Sequence, residues 1–141
     1  MSDSAALEVL KLEILASAYE ISVGGRTLAR LEGGPLELLA GAGERLRDLD
    51  IETAIERSED WLMPVSKSFQ GLALQVKDNP GRLRDHFATA ASLTPDDVER
   101  AFSRAFDDVA FKRAVSRDLV ADLVLLRELV HHGGLPRVLM D

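Results

Sequence analysis

A clear helical pattern of hydrophobic and polar positions begins near Leu93. The segment Thr94-Pro95-Asp96-Asp97 has the composition of a helix start, because threonine can accept hydrogen bonds from free backbone N–H groups and proline fits the first turn. Acidic side chains in the first turn also favour the positive end of the helix dipole. Apolar residues then recur every three or four positions from Val98 to Phe106. This pattern predicts a helix with one buried face.

A second pattern runs from Phe111 to His132, and no glycine or proline interrupts it. Between Leu119 and Leu126 the apolar side chains point almost all round the helix axis. Apolar side chains on nearly every side are typical of a helix that other elements surround. We therefore expect a long last helix at the centre of the domain or at a subunit interface.

The remaining segments show shorter helical stripes of apolar residues, separated by glycine- and proline-containing breaks. These shorter helices are predicted at about 4–19, 36–46, 50–62, 65–76 and 83–91. The two glycines of residues 40–43 leave a loop as the alternative within the second of them. Together the patterns predict an all-α fold, a compact single-domain bundle of about six to seven helices spanning residues 1–141. The long C-terminal helix would be central, and residues 133–141 would form an apolar tail.

A β-hairpin at residues 19–31 is the alternative for one part of the chain. Residues 19–23 alternate between apolar and polar side chains, and Gly24-Gly25 suits a two-residue hairpin turn. Residues 26–31 could then return as the second strand. An isolated hairpin would be marginally stable without helices to cover it.

The composition is that of an ordinary globular protein. Of the 141 residues, 46% are hydrophobic and 29% are charged, which argues against wholesale disorder. No apolar run approaches the ~20 residues of a membrane span, and the N-terminus lacks the layout of a secretory signal. We expect a cytoplasmic protein that does not enter a membrane.

Charge and motifs argue against several functional classes. The absence of cysteine excludes disulfides, thiol nucleophiles and zinc fingers. A formal charge of −7 makes nucleic acid an unlikely partner, because phosphate binding requires clustered basic residues. The glycines match neither a phosphate-binding loop nor a dinucleotide fingerprint. The sequence thus favours a protein that is not an enzyme and has no cofactor.

Two carboxylates of the last helix are exceptions to its apolar pattern. Asp118 and Asp122 lie one turn apart and are predicted to point toward the core face. Carboxylates that are buried there need guanidinium partners, and arginines of the preceding segments could supply them. These candidate partners are Arg82, Arg84, Arg100 and Arg104. The alternative is a divalent metal ion chelated by the two aspartates.

A further metal candidate is Glu128 with His131, which has the Glu-x-x-His spacing of di-iron helical bundles. The motif occurs once, so a complete site would need a second copy from a symmetric partner. The other interpretation is that His131 lies at the helix C-terminus because the helix dipole favours a basic group there.

Two apolar segments are candidates for a protein-binding surface. Trp61-Leu62-Met63 combines residue types that are common at interface centres. The C-terminal tail is too apolar to be an idle terminus. Its candidate binding residues are Leu135, Val138, Leu139 and Met140.

These observations lead to a functional expectation by elimination. The sequence favours a non-catalytic helical interaction protein, such as an adaptor, regulatory or assembly subunit, which binds a protein partner or a second copy of itself. The alternative is a metal-dependent helical-bundle enzyme, or a metal-binding protein, that uses Asp118 and Asp122.

Overall fold

A mixed β-sheet forms one layer of the protein in the computed structural model, which describes residues 8–88 and 90–141. Its strands are β1 (Val9–Leu15), β2 (Ala18–Val23), β3 (Arg26–Glu32), β4 (Ala73–Asp78), β5 (Ser92–Leu93) and β6 (Val138–Met140). Their order across the sheet is β3-β2-β1-β4-β6-β5. Strands β1, β4 and β6 run parallel to one another, whereas the other neighbours are antiparallel.

Helices form the second layer. They are α1 (Pro35–Leu38), α2 (Asp48–Leu62), α3 (Arg82–Phe87), α4 (Pro95–Ala110) and α5 (Arg117–Gly133), with a 3-10 turn at Ser66–Phe69. Strand β1 shows which face of the sheet they cover. Leu10, Leu12 and Ile14 are fully buried, whereas Lys11 and Glu13 between them are half-buried. The polar face is suited to contact with water.

Helix α5 lies at the centre of the helical layer and contacts α1, α2, α3 and α4. Eleven of its 17 residues are buried. Its last turn fits closely, because a Cβ atom on Gly133 would lie 2.8 Å from a ring carbon of Phe69. The central position predicted for this helix follows from its need to cover apolar side chains on nearly every side.

The predicted all-α fold is wrong. The segment predicted as a helix at 4–19 contains β1 and the start of β2, while residues 1–7 lie outside the described part of the chain. The segment at 65–76 contains the 3-10 turn and the first four residues of β4. A spacing of four residues suits both a helix and a strand, so Leu10 and Ile14 do not distinguish the two. Leu12 lies two residues from each of them, and this two-residue spacing is what indicates a strand rather than a helix.

Other segments also differ from expectation. The hairpin at 19–31 exists as β2 and β3, although it belongs to a larger sheet. The tail at 133–141 contributes β6 to that sheet, which explains its apolar composition. The last helix begins at Arg117 rather than Phe111, whose side chain is exposed. Among the described residues, no helix is long and apolar enough to cross a membrane.

The start of α4 agrees with the sequence and yields a stability prediction. The Thr94 hydroxyl accepts a hydrogen bond from the Asp97 N–H at 3.1 Å, and the Asp97 carboxylate accepts one from the Thr94 N–H at 2.9 Å. We expect Thr94→Ala to lower the free energy of unfolding by about 1 kcal/mol in denaturant titrations, because one free N–H group of the helix loses its partner.

Ser103→Ala is the matched control, because Ser103 is exposed on the same helix away from its ends. Hydrogen bonds from the backbone and side chain of Thr94 lower the pKa of Asp97. A lowered pKa stabilises the fold above the ordinary pKa of aspartate, and this contribution is lost as the pH falls through the lowered value. Thr94→Ala removes the side-chain contribution and keeps the backbone one, so the pKa of Asp97 should rise only part of the way toward its ordinary range, as NMR titration can measure. An unchanged stability would contradict the capping role.

Candidate functional site

The carboxyl ends of the parallel strands β1, β4 and β6 meet at one edge of the sheet, here called the carboxyl edge. The three strands end at Leu15, Asp78 and Met140. In open α/β sheets, ligands bind in the crevice outside this edge. The residues that follow these strands are therefore candidates for a functional site.

Two helices begin at the carboxyl edge. Arg82, just after β4, reaches Asp118 and Asp122 in the first turns of α5. Arg117, the first residue of α5, donates hydrogen bonds to the carbonyl oxygens of Gly43 and Glu44 in the loop before α2. The N-termini of α2 and α5 thus lie at this edge, where their free N–H groups favour negatively charged ligands.

A buried polar network connects α5 to the sheet at the same edge. The Tyr19 hydroxyl, on β2, donates to Asp122 Oδ1 at 2.6 Å. Arg82 Nε donates to Asp122 Oδ2 at 2.7 Å, and Arg82 Nη2 donates to Oδ1 at 3.1 Å. Both oxygens of this fully buried carboxylate therefore have partners. Asp118 lies outside the network core, 3.9 Å from Arg82, and its side chain is 55% exposed.

Burial dominates the electrostatics of the network. It raises the pKa of Asp122, although hydrogen bonds from Arg82 and Tyr19 oppose the shift. Burial also raises the pKa of Tyr19 well above its usual range, and the charge of Asp122 adds to this effect. The Tyr19 hydroxyl therefore stays protonated and donates to Asp122.

Of the four arginines named as candidate partners for Asp118 and Asp122, Arg82 is the one that pairs with both carboxylates. The geometry leaves no free oxygen on Asp122 for a metal ion. The helical-bundle setting of the metal alternative is absent, because the two aspartates face a sheet rather than a second acidic helix.

Asp78 and Asn79 shape the turn after β4. The Asp78 carboxylate accepts hydrogen bonds from the backbone N–H groups of Gly81 and Arg84, each at 2.9 Å, and so caps α3. Asn79 Nδ2 donates to the Ile14 carbonyl oxygen at 2.9 Å. These contacts fix the end of β4 beside the end of β1. The Asp78 carboxylate thus stabilises the turn and is not free to act in catalysis.

A cleft of about 310 Å³ lies beside the start of α5. Four basic side chains and one acidic side chain line it, together with several apolar residues. The basic residues are Arg45, Lys112, Arg113 and Arg117. Arg113 pairs with Asp108 at 2.9 Å. Within residues 8–88 and 90–141, no carboxylate forms an ion pair with Arg45 or Lys112.

This cationic cleft is suited to a multiply charged anion. The whole chain carries a formal charge of −7, so four basic residues around one cleft form a local concentration of positive charge on an acidic molecule. Guanidinium and ammonium groups form short, charge-assisted hydrogen bonds with phosphate oxygens. The helix N-terminus beside the cleft adds to the attraction.

The residues predicted as a protein-binding surface are distributed differently. Leu62, Leu135 and Val138 belong to the core, with exposures of 1% or less. Trp61 is half-buried and packs against that core. Met63 is exposed, whereas Leu139 and Met140 of β6 are half-buried. The structure thus brings no continuous patch together from these seven positions.

The predicted metal ligands Glu128 and His131 do not converge. Glu128 is buried, but His131 is exposed on another side of α5. The histidine beside Glu128 is His132, whose Nε2 lies 3.3 Å from Glu128 Oε1. A spacing of four residues brings these side chains together on one helix face.

Sequence reasoning missed the cationic cleft altogether. Its basic residues come from the loop before α2 and from the connection between α4 and α5, more than 60 positions apart. The signal within reach was the cluster Lys112-Arg113 just before Arg117. The approach of Arg45 depends on the tertiary fold.

Comparisons with known proteins identify the fold. No family model matches the chain, and no curated protein sequence matches it either. Among solved structures, the Aquifex aeolicus PPX-GPPA enzyme is similar over 95% of this chain and 53% of its own, with 12% identity and a TM-score of 0.66. The type II variant of the Aquifex aeolicus Ppx/GppA phosphatase covers 99% and 56%, with 10% identity and a TM-score of 0.67.

An exopolyphosphatase from Cytophaga hutchinsonii ATCC 33406 is similar at 14% identity and a TM-score of 0.64, over 95% of this chain and 53% of its own. The chain therefore spans about half the length of these structures and shares their α/β fold. The expectation of a non-catalytic helical adaptor is wrong, because the described residues form a six-stranded sheet with helices rather than a helical bundle, and the solved structures that share this fold are named as enzymes.

The buried network yields a prediction that separates hydrogen bonding from charge. Asp122→Ala leaves the Tyr19 hydroxyl and Arg82 without their partner, so the free energy of unfolding should fall by roughly 3 kcal/mol. Asp122→Asn should lose less, because the amide oxygen can still accept from Tyr19.

Because burial raises the native pKa of Asp122, the native state holds this proton more tightly than the unfolded chain. Stability relative to Asp122→Asn should therefore fall as the pH rises from about 4 toward the raised pKa.

Asp118→Ala is the control, since Asp118 is largely exposed and its removal should change stability by less than about 0.5 kcal/mol. Denaturant titrations of the three variants between pH 4 and pH 7 measure both effects. If Asp122→Asn loses as much as Asp122→Ala and the gap widens with rising pH, the charge pair is the dominant interaction instead.

Proposed function

We propose that this chain forms one half of a phosphohydrolase active site and binds a chain of phosphate groups at the carboxyl edge. The cationic cleft beside the start of α5 is the observation that carries the proposal. The named activity of the structural neighbours, exopolyphosphatase and Ppx/GppA phosphatase, supports a phosphoanhydride substrate. A cytoplasmic location, expected from the sequence, is part of this proposal.

The chemistry of phosphoryl transfer is consistent with a half-site that binds phosphate groups. Enzymes promote it mainly by positioning the phosphates and neutralising their charge. Arg45, Lys112 and Arg117 supply positive charge beside a helix N-terminus. The network of Tyr19, Asp122 and Arg82 fixes α5 to the sheet, and so holds Arg117 in place relative to the carboxyl edge.

The two buried carboxylates at the carboxyl edge are not suited to act as the general base. The buried carboxylates at the carboxyl edge are already engaged, Asp78 by backbone N–H groups and Asp122 by Arg82 and Tyr19. Neither can accept a proton from water without losing these partners. The chain spans about half the length of its structural neighbours, so a second folded unit would close the cleft. A second copy of the chain is one candidate for that unit.

Binding of polyphosphate tests the proposal directly. In titration calorimetry, Arg45→Ala combined with Lys112→Ala should weaken the affinity for sodium polyphosphate by about tenfold or more, because two charge-assisted hydrogen bonds are lost. The affinity of the unmodified chain should also fall as salt is added, since salt screens exposed charges.

The matched control is Lys67→Ala combined with Arg137→Ala, which removes the same two charges from exposed positions at the opposite edge of the sheet. Equal affinity losses in the two double variants would show a general charge effect and contradict a built site. Phosphate release should rise more steeply than linearly with protein concentration if a second copy completes the site. Absence of polyphosphate binding would refute the proposed function.

A further inference from the structure

Three side chains of the types that bind metal ions converge at the opposite edge of the molecule. Glu59 lies near the end of α2, while Glu128 and His132 lie one turn apart near the end of α5. One ligand atom from each lies within 4.8 Å of the other two. His132 Nε2 is 3.3 Å from Glu128 Oε1 and 3.4 Å from Glu59 Oε2.

Hydrogen bonding alone does not account for this arrangement. A single Nε2 atom carries at most one proton, so its N–H group could reach both carboxylate oxygens only through one shared, three-centre hydrogen bond, and both N···O distances exceed 3.2 Å. Two like charges also flank the imidazole, and Glu128 is 99% buried, since its exposure is 1%. A buried carboxylate requires strong partners for its oxygens. A cation between the three ligand atoms would satisfy all of them.

The observed spacing suits a small tetrahedral ion. Zinc binds imidazole nitrogen and carboxylate oxygen at about 2.0–2.2 Å, which separates neighbouring ligand atoms by about 3.3–3.6 Å in a tetrahedron. Two of the three separations in the cluster, 3.3 and 3.4 Å, already have this length. The fourth position would be open to water.

A supporting contact orients the buried ligand. Arg127 Nη1 donates to Glu128 Oε2 at 2.9 Å, so that Oε1 is the oxygen turned toward His132. Arg127 is itself fixed by Glu99 at 3.1 Å and by the ring of Phe102, whose centroid lies 4.6 Å from its guanidinium carbon. Such outer contacts commonly fix the ligands of metal sites.

The position of the cluster indicates a structural role. Helix α2 leads toward β4 and helix α5 leads into β6, so their ends lie at the amino ends of the parallel strands. The cationic cleft lies beside the start of α5, at the other end of the same helix. An ion here would join α2 to α5 without touching the proposed phosphate site.

We propose that Glu59, Glu128 and His132 bind one divalent transition-metal ion, with Zn²⁺ as the best fit, and that the ion fastens α2 to α5. The nitrogen ligand disfavours Mg²⁺ and Ca²⁺, which prefer sites made entirely of oxygen atoms. This proposal is independent of the proposed function, because it involves other residues and another edge of the sheet.

Metal titration of the full chain tests the site. After removal of metal with a chelator, the protein should bind one Zn²⁺ per chain in calorimetry, and Mg²⁺ should not compete. Co²⁺ should give the visible absorption of a four-coordinate site. Glu59→Gln and His132→Ala should each weaken Zn²⁺ binding by about tenfold or more. Zn²⁺ should raise the thermal midpoint of the unmodified protein but not that of these variants.

His131→Ala is the matched control, because it removes the neighbouring exposed histidine. Glu59 is partly exposed, so Glu59→Gln keeps the test valid if variants of buried Glu128 fail to fold. Absence of stoichiometric binding of Zn²⁺ and Co²⁺ would overturn the proposal. Binding that survives in Glu59→Gln and His132→Ala, or that is lost in His131→Ala, would show attachment to surface groups and would also overturn it.

Discussion

The burial of α5 is the constraint on which the rest of the structure depends. This helix is apolar on nearly every side, and it becomes stable in water only when other elements cover all of those sides. The sheet covers one side, and the other helices cover the remainder. The chain connections follow from this arrangement, because α5 leads directly into β6, which pairs with β4 next to β1. The order of the central strands and the position of the central helix therefore depend on each other.

The carboxylates of α5 are tolerated for a related reason. A fully buried Asp122 would destabilise an apolar helix if it had no partners, but Arg82 from the turn after β4 and Tyr19 from β2 reach it. Because these partners come from two separate parts of the sheet, their contacts also fix how far α5 can slide or rotate. The first turn of α5 is thereby held at the carboxyl edge, together with Arg117. The same contacts that compensate a buried charge thus position the cationic cleft.

The two ends of α5 carry opposite charge patterns. At its start, basic residues surround a cleft at the carboxyl edge, whereas at its end Glu59, Glu128 and His132 present oxygen and nitrogen ligands. The helix dipole matches both patterns, since its positive end attracts anions and its negative end favours cations. One rigid helix therefore separates a proposed phosphate site from a proposed metal site by nearly its full length. The functional proposals for the two ends can succeed or fail separately.

The sequence by itself determined the local features of this protein. Thr94 begins a helix, the segment up to Gly133 is a long buried helix, and Asp122 faces inward to meet an arginine, because capping, periodicity and charge act over a few neighbouring residues. Tertiary structure alone decided that residues 9–15 and 73–78 are strands, since spacings of three to four residues fit a helix as well, and the pairing of β1 with β4 joins segments about 60 residues apart. It also decided both candidate sites. The basic cleft and the Glu59, Glu128 and His132 cluster each combine residues from distant segments, and no local pattern records such an approach.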